Sequence, residues 1–253
     1  MTEKPLISYI LPICCAESFI YSNLVRFAQY CSESEYNSEI IAVNDGSTDS
    51  TNDEIERFLR ENTGGVPVKY INLAENAGKG HAIKKGVEAS EGQYIVFTDC
   101  DLPYSFKNIG DVVENLVSNT ANVAIACRMH KDSIYKIKSG ELSYSYVRYT
   151  AGWIYNWLIN LLTGLNIEDT QAGLKGFDRE TARLIFNKMT VSGFGFDVDI
   201  LTCAKKRDKK IATVPIEFDF SQMSTISFVK QVSIMSMDLL RVFFKKMTGY
   251  YTR

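Results

Sequence analysis

The chain has 253 residues, of which 45% are hydrophobic and 23% are charged. This length and apolar content suffice for a core in one large domain or in two small ones. A net charge of -2 and a pI near 5.8 argue against a nucleic-acid partner, which normally requires a strongly basic balance.

The N-terminus and the cysteines both favour a reducing compartment. Residues 1–5 carry an acid and lead directly into an apolar run, so they lack the basic and apolar regions of a signal peptide. The six cysteines fall mostly in apolar segments without C-x-x-C spacing, which predicts free thiols in the core. We expect a cytoplasmic protein that can associate peripherally with the inner face of a membrane.

Apolar runs with strand character alternate with helical periodicity through the first half of the chain. Alternation of this kind predicts right-handed crossovers and a mostly parallel central sheet flanked by helices, in one α/β domain. The predicted strands are 6–12, 39–44, 68–73, 94–99 and 123–127, and the predicted helices are 17–31, 51–60, 81–89 and 106–117.

The second half is more aromatic and contains two long apolar stretches. The most apolar part of the first, 151–165, is shorter than the ~20 residues of a spanning helix, so we expect it to be buried or interfacial. The second, 226–247, has an apolar stripe that suits either a core-packed terminal helix or a helix on a membrane surface. The predicted division is a domain over 1–225 and an amphipathic C-terminal helix over 226–253.

Acidic residues follow two of the predicted strands. Asp99 and Asp101 lie one residue apart where Pro103 stops the strand, and alternate residues of a strand share a face. Their carboxylates suit Mg²⁺ or Mn²⁺, which complete their shells with water and substrate phosphates. An isolated Asp-X-Asp is more often a solvated strand end, and the turn at 44–49 needs no function by itself. Together, at the carboxyl ends of parallel strands, they predict a site for a metal-bound diphosphate.

Five motifs occur in a fixed order along the chain: VNDGSTDST at 43–51, NAGKGHA at 76–82, TDCDLP at 98–103, DTQAGLKGF at 169–177 and FGFDVD at 194–199. In combination they resemble the family-2 glycosyltransferases of the GT-A fold. The last two resemble the branch that makes polyprenyl-phosphate sugars, including dolichyl-phosphate glucose and mannose synthases. The resemblance covers roughly residues 5–230.

The resemblance implies an inverting, metal-dependent hexosyltransferase. Its donor would be a nucleotide-diphosphate sugar, UDP in preference to GDP, and its acceptor polyprenyl or dolichyl phosphate, as in cell-envelope polysaccharide synthesis. Asp45 would accept a hydrogen bond from the base, although an Asp that only stabilises the turn is the alternative. Asp101 and Asp99 would hold Mg²⁺ or Mn²⁺, which stabilises the leaving diphosphate. The implied nucleotide-binding set is Pro12, Glu17, Asp45, Lys79 and Asp99.

On the sugar and acceptor side, the resemblance implies a catalytic set of Asp101, Asp169 and Gln171. We assign Asp169 to orientation of the sugar before base catalysis, because a lipid phosphate with a second pKa near ~6 is mostly ionised at neutral pH. An ionised phosphate must be held by cations. The implied acceptor-binding residues are Arg128, Arg148 and Lys175, while of Asp197 and Asp199 one would face the site and the other cap a helix.

The chain departs from the family pattern at three places. Residues 12–17 read Pro-Ile-Cys-Cys-Ala-Glu where relatives often have Pro-Ala-Tyr-Asn-Glu-Glu, so the tyrosine near the base is missing. The first acid of the usual Asp-Asp-Gly-Ser is Asn44, and the late loop at 220–227 lacks its usual lysine. A different base affinity and a weaker hold on phosphate are the expected results.

Three alternative functions stay open at this stage. A transferase with a glycan hydroxyl acceptor would require Asp169 as its base. A nucleotide-sugar-binding protein without turnover would bind a nucleotide but not cleave a donor. A sugar nucleotidyltransferase ranks last, since no Gly-rich loop with a downstream basic residue precedes Asn44.

Overall fold

The computed structural model describes residues 6–62, 65–136, 142–219 and 228–252, and within these ranges leaves aside the side chains of 135–136, 142–151, 218–219 and 228–233. The strands are β1 Leu6–Ile13, β2 Asn37–Asp45, β3 Val68–Leu73, β4 Tyr94–Phe97, β5 Val123–Cys127, β6 Ile134–Lys136, β7 Lys175–Asp178, β8 Ile211–Pro215 and β9 Glu217–Asp219. The helices are α1 Ile20–Glu33, α2 Thr51–Glu61, α3 Lys79–Ala89, α4 Phe106–Val117, α5 Leu142–Thr163, α6 Arg179–Lys188, α7 Phe196–Lys206 and α8 Phe228–Met247.

Seven strands form the central sheet in the order β3-β2-β1-β4-β7-β5-β8, and β6 and β9 form a small second sheet. All neighbours in the central sheet are parallel except β7, which runs antiparallel between β4 and β5. The predicted α/β domain with a mostly parallel sheet is confirmed. The antiparallel strand was not predicted, because its four residues, Lys-Gly-Phe-Asp, form no apolar run.

The central strands are apolar almost throughout because helices cover both faces of the sheet. Successive residues of a strand point to opposite faces. Thus Tyr9 and Leu11 of β1 belong to a core with α1, α2 and α4, whereas Ile10 belongs to the core formed with α3, α6 and α7. The sheet therefore lies between two hydrophobic layers that fix the ends of its strands.

Several element boundaries differ from the sequence prediction. β4 ends at Phe97, so Asp99 and Asp101 lie in a turn, and strand alternation does not set their directions. β2 continues through Asp45. α1 begins at Ile20 and leaves Glu17 in the preceding loop, while α3 begins at Lys79. These shifts place the acidic and basic motif residues at the ends of elements.

The C-terminal helix packs on the domain through one of its faces. Leu239 and Val242 of α8 are buried in the second core, and Tyr155 of α5 donates a hydrogen bond to the Met235 carbonyl at 2.9 Å. Within the ranges given above, no helix is both long and apolar enough to cross a bilayer.

The prediction that all the cysteines are core thiols is wrong for two of them. Cys31, Cys127 and Cys203 are buried and Cys100 is half-buried, but Cys14 and Cys15 are exposed. The reason is that β1 ends at Ile13, so both residues follow the strand in a surface turn.

Candidate active site

The motifs meet at the carboxyl ends of β1, β2 and β4. β1 pairs with β2 on one side and with β4 on the other, so the strand order reverses beside it. Crevices at such reversals are the usual ligand sites of open α/β sheets. The turns after these strands carry the residues 14–17, 46–49 and 99–101.

Asp45 holds the Gly-Lys-Gly loop in place. One carboxylate oxygen accepts a hydrogen bond from the Ala77 amide and the other from the Gly78 amide, both at 2.9 Å. The residue is only 3% exposed. These contacts match the turn-stabilising alternative, and the predicted hydrogen bond to a nucleotide base stays a prediction.

Gly78 is required where this loop meets the segment before α7. Its φ of +102° is a conformation that residues with side chains rarely adopt, and an added Cβ would lie 2.6 Å from the Ser192 carbonyl oxygen. The same oxygen accepts a hydrogen bond from the His81 amide at 3.1 Å. The loop is therefore fixed by Asp45 on one side and by Ser192 on the other.

The end of this loop places a cation beside the turn at residues 99–101, which we call the acidic turn. Lys79 is the first residue of α3 and forms an ion pair with Asp99. Burial opposes the charge on Lys79, but the negative charges of Asp99 and Asp197 raise its pKa above the usual value. Lys79, which the sequence predicted as a nucleotide-binding residue, thus lies at the acidic turn and is paired with the carboxylate of Asp99.

Asp101 is half-buried, and its Oδ1 is a buried atom without a hydrogen-bond partner. Burial raises the pKa of Asp101, and the charge of Asp99 raises it further. In the described part of the chain, no three His, Cys, Asp or Glu side chains cluster as metal ligands. Mg²⁺ commonly uses only one or two carboxylates together with substrate phosphates and water, so Asp101 and Asp99 fit that ion.

The turn at residues 169–174, which we call the sugar-side turn, lies against this acidic turn. A Cβ added to Gly173 would lie 1.9 Å from Oδ2 of Asp99, so only glycine allows this approach. The Gly173 amide donates a hydrogen bond to the Tyr104 hydroxyl at 2.7 Å. Two motifs separated by about seventy residues in the sequence therefore form one site.

Asp169 is tied to Arg128 by a bidentate ion pair. Its Oδ2 accepts from the Arg128 Nε at 2.7 Å and from the Arg128 amide at 3.0 Å, and its Oδ1 accepts from Nη2 at 2.9 Å. Burial acts to raise the pKa of Asp169, but Arg128 more than offsets it and holds this pKa below the usual range. A carboxylate with a lowered pKa is a weak proton acceptor.

Gln171 lies beside this pair. Its backbone N–H donates a hydrogen bond to Oδ1 of Asp169 at 3.2 Å. Its side-chain Nε2 is buried and has no hydrogen-bond partner. A buried donor of this kind is costly unless a ligand accepts from it. Gln171 is thus suited to donate to a sugar hydroxyl.

The model of the family described as "Glycosyl transferase family 2" matches residues 8–186 of the chain, which is more than half of it. The chain belongs to this family. The predicted resemblance is confirmed, and the sheet with its single antiparallel strand is the GT-A fold that the resemblance implied.

Among curated proteins, this family-2 glycosyltransferase is similar to enzymes named dolichyl-phosphate beta-glucosyltransferase. It is 31% identical to the one from Dictyostelium discoideum, with 86% of this chain and 66% of the relative covered. For the Homo sapiens protein the identity is 30%, with 83% and 65% covered. The chain therefore spans just under two thirds of the length of these relatives.

Solved structures show the same fold. Glucosyl-3-phosphoglycerate synthase from Mycobacterium tuberculosis, in complex with Mn²⁺, UDP and glucosyl-3-phosphoglycerate, has a TM-score of 0.66 and 17% identity, covering 95% of this chain and 79% of that one. The same protein with UDP alone has a TM-score of 0.67. At this identity the likeness concerns the fold.

Lys175 of the family-2 glycosyltransferase does not lie where the sequence prediction placed it. Its side chain is 0% exposed, and its ammonium donates to Asp197 at 2.6 Å and to the Ala172 carbonyl at 2.5 Å. Burial lowers the pKa of Lys175 and raises that of Asp197. The predicted contact of Lys175 with an acceptor phosphate is inconsistent with this position, since the buried pair instead joins the sugar-side turn to α7.

Asp199 is also structural in the transferase. It accepts hydrogen bonds from the Thr190 amide at 2.6 Å, the Val191 amide at 2.9 Å and the Tyr251 hydroxyl at 2.5 Å. It therefore ties the C-terminus to the segment that contacts the Gly-Lys-Gly loop. Asp197 lies near Lys79, whereas Asp199 accepts from a loop and from Tyr251 and does not cap a helix, so the predicted helix cap is not found at Asp199.

Among the described side chains, the remaining predicted site residues form no hydrogen bond or ion pair with the acidic turn. Pro12 is buried in β1, and Glu17 is exposed and accepts a hydrogen bond from the Ser50 amide at 2.8 Å. The side chain of Arg148 on α5 and the late loop at 220–227 lie outside the described residues.

Three supporting residues were missed by sequence reasoning. Asn23 of α1 donates to the Cys100 carbonyl at 3.0 Å and holds the acidic turn. Asn156 of α5 donates to the Glu168 carbonyl at 2.8 Å and accepts from the Thr170 amide at 3.1 Å. Tyr104 accepts a hydrogen bond from the Gly173 amide. Its position directly after the motif at 98–103 was the one feature of the sequence that could have indicated this role. The two asparagines act across long sequence separations that no local pattern reports.

Proposed function

We propose that this family-2 glycosyltransferase transfers glucose, with inversion, from a nucleotide-diphosphate glucose to dolichyl or another polyprenyl phosphate. UDP is the expected nucleotide and Mg²⁺ or Mn²⁺ the expected ion. The names of the curated relatives support the sugar and the acceptor. The presence of UDP with Mn²⁺ or Mg²⁺ in structures of the same fold is consistent with the donor and ion.

The ion pair of Asp169 with Arg128 is the observation that favours a phosphate acceptor over a hydroxyl acceptor. A hydroxyl acceptor must lose a proton as it attacks, and the base for that step needs a pKa near the working pH. Asp169 has a lowered pKa and accepts hydrogen bonds on both oxygens, so it is poorly suited to this task. A phosphate monoester is already mostly ionised at neutral pH and attacks without a base.

The donor side supports departure of a nucleotide diphosphate. Asp101, with its unpaired oxygen, and Asp99 would hold the ion, which neutralises charge on the leaving diphosphate. Lys79 adds a cation at the same turn. The close approach of Gly173 to Asp99 brings the sugar-side turn next to a residue that would hold the ion and the diphosphate, which supports an in-line displacement.

A lipid acceptor is supported by an exposed apolar surface on α5 and α8, which we call the apolar face. Trp153, Trp157 and Leu161 of α5 are 57%, 56% and 63% exposed. Met237, Leu240, Phe244 and Met247 of α8 are 51% to 69% exposed. Amphipathic helices of this kind lie in the interface of a bilayer with their apolar side inward. Asn156 of α5 supports the Asp169 segment, so the apolar face adjoins the acceptor side.

Nucleotide-diphosphate release by purified protein tests the proposal. A panel of UDP- and GDP-sugars is supplied with Mn²⁺ or Mg²⁺, with and without a short-chain polyprenyl phosphate. We expect release only with UDP-glucose, the lipid phosphate and the ion together, and loss of release in Asp101→Ala. Asp111→Ala is the matched control, because Asp111 pairs with Lys107 on the surface of α4.

Other outcomes identify the alternative functions. Release triggered by a saccharide, but not by the lipid phosphate, would establish a hydroxyl acceptor with Asp169 as base. UDP-sugar binding without release under any condition would indicate a non-catalytic protein.

A further inference from the structure

Two adjacent thiols lie together on the surface of the candidate site. Neighbouring side chains of an extended chain point to opposite faces. Cys15, however, has a φ of 49°, in the left-handed region that residues other than glycine seldom adopt. This turn brings Sγ of Cys14 and Sγ of Cys15 to 3.9 Å from each other, and both residues are exposed.

The positions of both sulfurs are fixed by neighbouring loops. The Cys15 amide donates to the Ser47 hydroxyl at 2.9 Å, and the next amide, of Ala16, donates to the Thr51 hydroxyl at 2.6 Å. Nδ2 of Asn76 donates to Sγ of Cys14 at 3.1 Å. The thiol pair is thus held between the turn after β2 and the loop that Asp45 binds.

This separation suits one atom bonded to both sulfurs. In zinc thiolate sites, bonds of about 2.3 Å with tetrahedral angles hold two sulfurs roughly 3.8 Å apart. A resident zinc ion needs four ligands, yet among the residues described by the structure no third His, Cys, Asp or Glu joins the pair. Trivalent arsenic compounds need only two neighbouring thiols, because the reagent supplies the remaining substituent.

A disulfide within the pair is disfavoured by geometry. Consecutive Cα atoms lie about 3.8 Å apart, whereas the Cα atoms of ordinary disulfides are usually about 4.4–6.8 Å apart. The strain makes such a bond easily reduced, so the pair stays available as a dithiol.

We propose that Cys14 and Cys15 form a dithiol site for trivalent arsenic compounds and that its occupation excludes the nucleotide. The second half of this statement rests on the proposed function, because it takes the crevice beside Asp45 and Lys79 as the nucleotide site. In the reaction with phenylarsine oxide, each thiol loses its proton and two sulfur–arsenic bonds form. The arsenic–oxygen bond breaks, the oxygen leaves as water with both protons, and arsenic stays trivalent.

The other cysteines are poor competitors for the reagent. Cys31, Cys127 and Cys203 are buried, and Cys100 is half-buried. Burial raises the pKa of Cys31, Cys100 and Cys127 to about 12, a larger change than the rise that burial causes in the pKa of Cys14. Among the described residues, the one thiol–thiol contact found is that between Cys14 and Cys15.

The test is intact-protein mass spectrometry after treatment with phenylarsine oxide and removal of excess reagent. We expect one phenylarsenic group per wild-type chain, located at residues 14–15 by peptide mapping. The Cys14→Ser and Cys15→Ser variants should retain none, while Cys100→Ser should retain it like the wild type. Saturating UDP should slow adduct formation roughly tenfold at about ten times its Kd, because the free fraction of the site falls by mass action.

The outcomes separate this inference from the proposed function. An adduct elsewhere in the chain, or one that survives in Cys14→Ser and Cys15→Ser, overturns the dithiol site. If calorimetry shows UDP binding but UDP does not slow the adduct, the exclusion of nucleotide is wrong. If UDP does not bind at all, the proposed function fails, and the mass measurement still decides the dithiol site.

Discussion

Two ion pairs lie close together, Lys79 with Asp99 in the site and Lys175 with Asp197 buried behind it. A third, Arg128 with Asp169, borders the sugar-side turn. Buried ion pairs add little net stability, because desolvation cancels most of the attraction, but removing one partner leaves a charge that is costly to bury. At the scale of single residues, these pairs fix the geometry of the site more than they stabilise the fold.

Asp169→Asn tests the pair at the sugar-side turn. A lowered pKa in the folded state means that Asp169 contributes stability above its unfolded pKa of about 4, and that this contribution is lost as the pH falls through the folded value. We expect the variant to lose roughly 3 kcal/mol at neutral pH, because the largely buried ion pair with Arg128 is broken. Urea unfolding at several pH values measures this.

The loss should shrink in acid, where the wild-type carboxylate is itself protonated. Asp111→Asn, at an exposed pair on α4, is the control and should change stability little at any pH. A loss for Asp169→Asn that is independent of pH would contradict the ionic assignment.

Asp101→Asn should have the opposite effect in metal-free protein. The raised pKa of Asp101 means that its charged form destabilises the folded state at neutral pH, and this penalty disappears as the pH falls below the unfolded pKa. We expect the variant to gain roughly 1 kcal/mol at neutral pH in the presence of a chelator. Mn²⁺ should then raise the melting temperature of the wild type and not that of Asp101→Asn. Equal shifts in both proteins would place the ion elsewhere.

At the scale of elements, the Gly-Lys-Gly loop joins three parts of the fold. Asp45 at the end of β2 binds its amides, and the Ser192 carbonyl before α7 contacts its glycine. Asp199 of α7 in turn binds Tyr251 after α8. The N-terminus of α3, and with it Lys79, is therefore positioned by elements from both halves of the chain.

Gly78→Ala should destabilise the protein by about 2 kcal/mol, because the residue has a left-handed φ and its Cβ would meet the Ser192 carbonyl. It should also raise the donor KM through displacement of Lys79. Gly152→Ala on α5 is the matched control, because apart from its chain neighbours and the local helix backbone no atom lies within 4 Å of the added Cβ. That variant should gain about 0.5 kcal/mol from helix propensity. Thermal unfolding of both measures the difference, and equal melting temperatures would disprove the clash.

At the scale of the whole molecule, the two long helices of the second half of the chain, α5 and α8, pack against each other. α5 and α8 lie side by side, joined by the hydrogen bond from Tyr155 to Met235 and by one from Lys246 to the Leu162 carbonyl at 3.1 Å. Their inner sides complete the core, while their outer sides form the apolar face. Large exposed apolar side chains on two adjacent helices are typical of an interaction site, in agreement with the proposed lipid acceptor.

Trp153→Ser with Trp157→Ser should weaken binding to phosphatidylcholine vesicles about tenfold, which corresponds to roughly 1.4 kcal/mol. The reason is that both indoles are more than half exposed on the apolar face. Vesicle cosedimentation measures the change. Val25→Ser serves as the control, since Val25 is an exposed apolar residue on α1, away from that surface. Unchanged vesicle binding in the double variant would show that the apolar face has another partner.

The sequence by itself determined the class of fold, the order of most elements and the motifs that place the chain in its family. These follow from local patterns, since strands and helices differ in apolar period and the motifs are short and contiguous. Only the tertiary structure decided which charges are paired, because Arg128 and Asp169, or Lys175 and Asp197, are far apart in sequence. The tertiary structure likewise decided that β7 is antiparallel, that Lys175 is buried and that Cys14 and Cys15 are exposed. The reason is that strand pairing and burial depend on which distant segments pack against a residue, and a local sequence pattern does not specify those segments.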